Sequence, residues 1–230
     1  MVSRGVVAAL ALSVLVTGSA CGTTVDGTAV KDTTSPPPLV RISELVDLLV
    51  PPPELQEMLN APDLAVLVSG DTISTATPDD GGVSLIPECV PANYPARDIA
   101  YDGSGYTGIW GQRLGDRPKE HVVLQVAALF PTAEAAQGFF AAARDTFERC
   151  AGKRLPTAFT EGVEVFKLGE PAVTGTTVTA VNTQVEVGGW KCSRAVGVRS
   201  NVVADVSACQ YDATDQGERV MAGILSRVPQ

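Results

Sequence analysis

The stretch WKCSRAVGVRSNVVADVSAC, running from Trp190 to Cys209, decides how the rest of the chain is read. Two strand-like runs rich in Val and Ala meet at Arg199-Ser200-Asn201-Val202. If Ser200 and Asn201 form a two-residue turn, the numbers of cross-strand partners sum to 401, and 192 and 209 satisfy that sum. Alternating outward from the hydrogen-bonded pair Arg199/Val202, Cys192 and Cys209 fall on a non-hydrogen-bonded pair, where Cα atoms approach to about 4.5 Å. That spacing is at the short end of what a disulfide accepts. The hairpin is therefore expected to carry its own bridge, which leaves Cys89 and Cys150 as the second pair.

The fifth cysteine, Cys21, has a different fate. A basic head ending at Arg4, an uncharged run from Gly5 to Val16 and the small residues Thr17, Gly18, Ser19 and Ala20 lead up to it. That order describes a secretory signal peptide over residues 1–20, too short for a span of roughly 20 apolar residues. Small residues before a cysteine resemble the bacterial lipobox, although Gly18 stands where that motif commonly carries Leu. The resemblance implies that Cys21 is lipidated, becomes the new N-terminus and anchors the protein to the outer side of the cell membrane. Residues 21–38, rich in Thr, Gly and Pro, read as the lipidated cysteine and a flexible tether. An oxidising compartment then suits two disulfides. A cysteine metal site does not fit, since no two cysteines are close in sequence and the chain has one His.

The formal net charge is −9, one unit more negative once Arg4 is removed, and Lys and Arg form no cluster. Nucleic acid and anionic lipid headgroups are disfavoured as primary partners.

The folded part is expected over residues 39–230. Ser43 is placed to cap a helix carrying Leu45, Leu48 and Leu49, which Pro51-Pro52-Pro53 stops; Pro53 opens a second short helix to Leu59. Ser69 to Gly82 reads as an exposed loop. Strands are expected at Tyr106–Gln112 and at Val122–Phe130, where Val122, Leu124, Val126, Ala128 and Phe130 alternate as in a half-buried strand. A long helix follows from about Thr132 to Arg149, with Gly152 just beyond. Strand patterns return at 162–168, 172–187 and 190–209. A final helix opens with the capping pair Asp215 and Glu218 and turns Val220, Met221, Ile224 and Leu225 inward. The class is α+β: a central antiparallel sheet with helices packed on one side.

Several motifs point to chemistry and then fail on context. Gly103-Ser-Gly105-Tyr-Thr-Gly108 matches a dinucleotide fingerprint letter for letter, but a strand-like Ile109-Trp110 follows instead of a helix. It reads as a glycine-rich bend. His121 has no nucleophile elbow to serve, and is expected to decorate the start of a strand. The carboxylates Asp98 with Asp102, and Glu161 with Glu164, are expected to be solvated. Tyr106, Trp110 and Trp190, set among glycines, are the candidates for lining a ligand groove. No catalytic residue, cofactor or metal is expected.

Gly189-Trp190-Lys-Cys192 and Ser200-Asn201-Val-Val-Ala-Asp205-Val-Ser-Ala-Cys209 resemble the PknH-like extracellular sensor domains of mycobacteria, a family that includes lipoproteins. Leu85-Ile-Pro-Glu-Cys89, Gly103-Ser-Gly-Tyr106, the strand through Phe130-Pro131 and the helix ending in Phe147-Glu-Arg-Cys150 agree with it. The chain departs at Phe147, where relatives commonly carry Trp. The resemblance covers about residues 40–228. It implies an α+β fold with a cleft, flanking helices and the same two disulfides. These 230 residues hold no kinase domain, and signalling across the membrane in cis is not expected of them. The function expected is non-catalytic binding of a small envelope glycan, lipid or glycolipid. The alternative is an accessory protein that docks on an envelope enzyme, transporter or receptor kinase.

Overall fold

The computed structural model describes residues 38–73, 83–117, 119–160 and 162–229. The expected signal peptide, Cys21, the tether up to residue 37 and Glu161 lie outside these residues, as do residues 74–82 of the expected loop. Ten described strands form one sheet: β1 (Ala65–Gly70), β2 (Val83–Ser84), β3 (Gly108–Gly115), β4 (His121–Leu129), β5 (Arg154–Phe159), β6 (Gly162–Lys167), β7 (Ala172–Thr174), β8 (Thr177–Gln184), β9 (Trp190–Arg199) and β10 (Val202–Tyr211). Their order is β1-β3-β4-β10-β9-β8-β6-β5-β2, with β7 paired to β8. Every pairing is antiparallel.

The hairpin β9–β10 has the register its turn dictates. Arg199 faces Val202 and Cys192 faces Cys209, with their Cα atoms 4.0 Å apart in a disulfide. Ser200 takes φ 51°, the left-handed conformation that two-residue hairpin turns demand. The second bridge joins Cys89 to Cys150. With sequence separations of 61 and 17, loop-closure entropy puts the bridges at about 4 and about 3 kcal/mol respectively.

The alternation in β4 is present, but the strand is buried on both faces. Val126, Ala128 and Phe130 point into one core, while Val123, Ala127 and Leu129 point into another. β10 repeats the division, with Val203 on the first side and Ala204, Val206 and Ala208 on the second. Central strands that are apolar throughout need cover twice, as in sheets buried between two helical layers. The helices therefore flank the sheet on both sides, correcting the expectation of one covered face. Helix α4 (Ala133–Cys150) covers the first face through Ala136, Phe140 and Phe147, together with a 3-10 turn at Pro87–Ala92 and the short helix α3 (Asp98–Tyr101). Helices α1 (Leu45–Leu48), α2 (Pro52–Leu59) and α5 (Gln216–Ser226) cover the second. Helix α5 lies unusually close to β9. A Cβ on Gly197 would fall 2.6 Å from Met221 Sδ, and one on Gly217 only 2.0 Å from the Ser193 carbonyl oxygen.

Two helix starts differ from their sequence signals. Ser43 sits inside a 3-10 turn (Ile42–Glu44), and the Glu44 carboxylate accepts instead from the Arg41 N–H at 2.7 Å. Asp215 makes no cap hydrogen bond and pairs with Arg219 at 3.3 Å. Thr132 does cap α4, accepting from the Ala135 N–H at 3.2 Å.

The N-terminal segment has no strand partner, and two buried amide side chains supply one. Asn201 accepts from the Val40 N–H and donates to the Val40 and Phe130 carbonyls at 2.9–3.0 Å. Gln125 does the same for Val50, at 2.9 and 2.8 Å. Replacing Asn201 by Ala strands three buried backbone groups, and each orphan costs about 1–3 kcal/mol. Urea denaturation of Asn201→Ala is expected to show a loss of roughly 3 kcal/mol with an unchanged m-value; a loss below about 0.5 kcal/mol would mean that the clasp holds nothing.

Candidate ligand-binding cleft

Between α4 and the segment running from the Pro87–Ala92 turn to α3 lies a cleft of about 210 Å³. Phe139, Ala142, Ala143, Thr146 and Phe147 form its helix wall, and Pro91, Ile99 and Ala100 face them. Arg194, Val196 and Asp205 belong to the sheet beneath, while exposed Glu88 and Arg149 complete the lining. The Cys89–Cys150 bridge links the turn to the last residue of α4, so the two walls are covalently joined at one end.

The charged pair comes from the hairpin. Asp205 lies opposite Val196, two residues from Arg194 along β9, so the pair is diagonal on one face. Their side chains are 1% and 5% exposed, with Arg194 Nη2 at 2.7 Å from Asp205 Oδ1. Arg194 Nη1 donates to the Val206 and Ala195 carbonyls at 2.6 and 3.2 Å, and Nη2 donates to Pro91 O at 2.8 Å. The Phe147 ring stacks 5.5 Å from the guanidinium carbon. On the acid, Oδ2 accepts from the Ala96 N–H at 2.9 Å and the Tyr101 hydroxyl at 3.1 Å. Two atoms of the pair are left without a hydrogen bond. Arg194 Nε–H has no hydrogen-bond partner, and Oδ1, although in ion-pair contact, receives no correctly directed hydrogen bond. Buried polar atoms are rarely left in this state.

Burial shapes the neighbouring phenols. Desolvation drives the Tyr101 hydroxyl well above its ordinary value, and the negative charge of Asp205 adds to the shift. Tyr94 is raised first by burial and then by Glu164, whose carboxylate its hydroxyl contacts at 3.2 Å.

The structure does not bring the three sequence candidates together. Tyr106 packs edge-on against Tyr101 with centroids 5.6 Å apart, on the α4 side of the sheet. Trp190 is buried on that side against Tyr211, at 5.4 Å. Trp110 packs into the opposite core, its buried indole N–H without a partner. None of the three lines the cleft. The residues that do, Arg194 and Asp205, were marked in the sequence by lone charges inside apolar strands. His121 opens β4 and contacts Asp116 at 2.5 Å. Gly103 and Gly105, at φ 71° and 80°, form the bend before β3. Among the described residues no three His, Cys, Asp or Glu side chains gather to hold a metal ion.

Two outcomes follow from this geometry. Removing one member of a buried pair strands the other, so Arg194→Met is expected to cost about 3–5 kcal/mol, and a double-mutant cycle with Asp205→Leu to show coupling of about 2–3 kcal/mol. Additive losses in chemical denaturation would show the two groups to be independent. For the phenols, folded values above the unfolded value of about 10 mean that the native state keeps protons the unfolded chain releases. Their contribution is intact below about pH 10 and is lost as the pH climbs beyond it. Absorbance titration should therefore show Tyr94 and Tyr101 ionising together with the loss of circular dichroism, rather than before it.

A family model for the PknH-like extracellular domain matches residues 40–227. The serine/threonine-protein kinase PknH of Mycobacterium bovis is 33% identical over 181 residues, covering 74% of this chain and 30% of the kinase. Its counterpart from Mycobacterium tuberculosis is 34% identical over 181 residues, covering 74% and 28%. The chain thus spans less than a third of the length of these kinases. The crystal structure of the extracellular domain of PknH from Mycobacterium tuberculosis matches with a TM-score of 0.78 at 28% identity, covering 83% of this chain and 97% of that one. The resemblance carried by the cysteine motifs thus extends over the whole folded part, and the chain belongs to the family of PknH-like extracellular domains.

Proposed function

We propose that this protein is a lipid-anchored, non-catalytic binding domain of the cell envelope that holds a small glycan, lipid or glycolipid in the cleft beside α4. One observation carries the reading: a cleft with mostly apolar walls ends on a buried charged pair, two atoms of which have no hydrogen-bond partner. Small-molecule sites combine apolar walls with a few polar groups in this way. The family's extracellular placement agrees with the N-terminal sequence, in which Cys21 follows a signal-like segment. Attachment is assigned to an acyl group on Cys21, which the small residues Thr17, Gly18, Ser19 and Ala20 precede.

A second reading, docking on an envelope enzyme, transporter or receptor kinase, draws on a different surface. Val83, Ala158 and Val163 are successive cross-strand partners at the β2 edge, all exposed, and Leu85 beside them is 90% exposed.

Native mass spectrometry of the protein released gently from membranes distinguishes the two. The expected spectrum shows the acyl mass on Cys21 and a discrete further mass that Ala143→Phe, which fills the cleft, removes. A Cys21→Ala variant is expected in the medium rather than in the membrane. A spectrum without any further mass would overturn ligand capture and favour docking, to be sought by crosslinking in intact cells.

A further inference from the structure

The cleft's polar floor also constrains what kind of molecule it accepts. We propose that it takes an uncharged head group that both accepts and donates a hydrogen bond, an alcohol or a carboxamide on an apolar body, and that it rejects carboxylates and ammonium ions. This rests on the reading of the cleft as a ligand site and adds the chemistry of the ligand.

Every nitrogen and oxygen of the two charged groups but two already has a hydrogen-bond partner. Three backbone carbonyls take three of the four Nη protons of Arg194, and a backbone N–H and a phenol occupy Asp205 Oδ2. One donor, Arg194 Nε–H, and one acceptor, Asp205 Oδ1, remain within the same ion pair. A hydroxyl or a primary amide answers both at once. An anion would satisfy the guanidinium while facing the Asp205 carboxylate beside it, and a cation would meet the reverse. The pair is already neutral as a unit, so a further charge enters a desolvated site with no counter-charge of its own. Glu88 and Arg149, the other charged groups in the lining, are of opposite sign and add no net bias. Both free atoms are buried within residues that line the cleft, with the Phe147 ring over the guanidinium. Phe147 is itself part of the wall, and a small turn of its ring is the motion that brings a head group to them.

The test holds the apolar body constant and varies the head. 1-Hexanol, hexanamide, hexanoate and hexylammonium are titrated at neutral pH into the exported protein carrying Cys21→Ala, which removes the competing acyl chain, and binding is followed by NMR chemical shifts. The alcohol and the amide are expected to bind at least about tenfold more tightly than either ion. Ala143→Phe should abolish this binding in a protein that still shows native circular dichroism. The paired variant Arg194→Met/Asp205→Leu should bind all four with the preference erased; if it fails to fold, the head-group series on the unaltered floor decides alone. Equal binding of the four probes, or preference for an ion, would overturn the head-group assignment and leave the cleft a ligand site. Binding of none, or binding that Ala143→Phe leaves untouched, would overturn the assignment together with the reading it rests on.

Discussion

A guanidinium sealed inside a protein has to be answered on every side, and Arg194 is answered by three parts of the chain that are distant in sequence. The Val206 and Ala195 carbonyls hold it to its own hairpin, Pro91 ties it to the turn beside α3, and Phe147 presses on it from α4. Asp205 extends the same hub to the Ala96 backbone and the Tyr101 phenol. Desolvating two charges uses up most of what their attraction returns, so the pair contributes little to net stability. It determines position instead: turn, α3 and α4 close over the sheet at one spacing, and that spacing is the cleft.

The opposite face has no comparable charge and solves a different problem. Residues 40–50 cross it as a 3-10 turn and the short helix α1, whose flanking residues Val40 and Val50 have backbone groups that no strand pairs. Asn201 and Gln125 act as single-residue strand partners, each offering an acceptor and a donor to the backbone of one residue. Below them, Leu45, Leu48, Leu55 and the apolar stripe of α5 seal the sheet. One face holds the ion pair and the cleft, the other is packing fastened by amides, and the disulfides Cys89–Cys150 and Cys192–Cys209 both lie on the first.

The hairpin register was legible in the sequence, because a two-residue turn leaves no freedom in which residues pair, and the cysteines confirmed it in advance. That register also puts Arg194 and Asp205 diagonally on one face, so the floor of the site was within reach of the same arithmetic. The walls were not, since they come from segments about sixty residues apart joined by Cys89–Cys150. The second covered face was hidden because Val123, Ala127 and Leu129 are apolar like their neighbours, and alternation marks a strand only when one side is polar. β5 was obscured by Pro156, tolerated there because β2 pairs only with Thr157 and Ala158 and leaves that edge open. Trp110 and Trp190 attracted attention as large rings beside glycines, yet they fill opposite cores. An aromatic side chain reports burial more reliably than it reports a site.

The strand order has a kinetic consequence. β10 lies between β4 and β9, so until it is in place the sheet is two separate pieces, one ending at β4 and the other at β9. Asn201, which fastens the N-terminal segment, belongs to the turn that leads into β10. A chain emerging N-terminus first, from a ribosome or through a translocation pore, thus keeps both inner edges unpaired and the segment at Val40 unfastened until β10 is out. Contacts so distant in sequence form slowly, and open strand edges invite aggregation while they wait. The last strand to be made is the one that closes the domain.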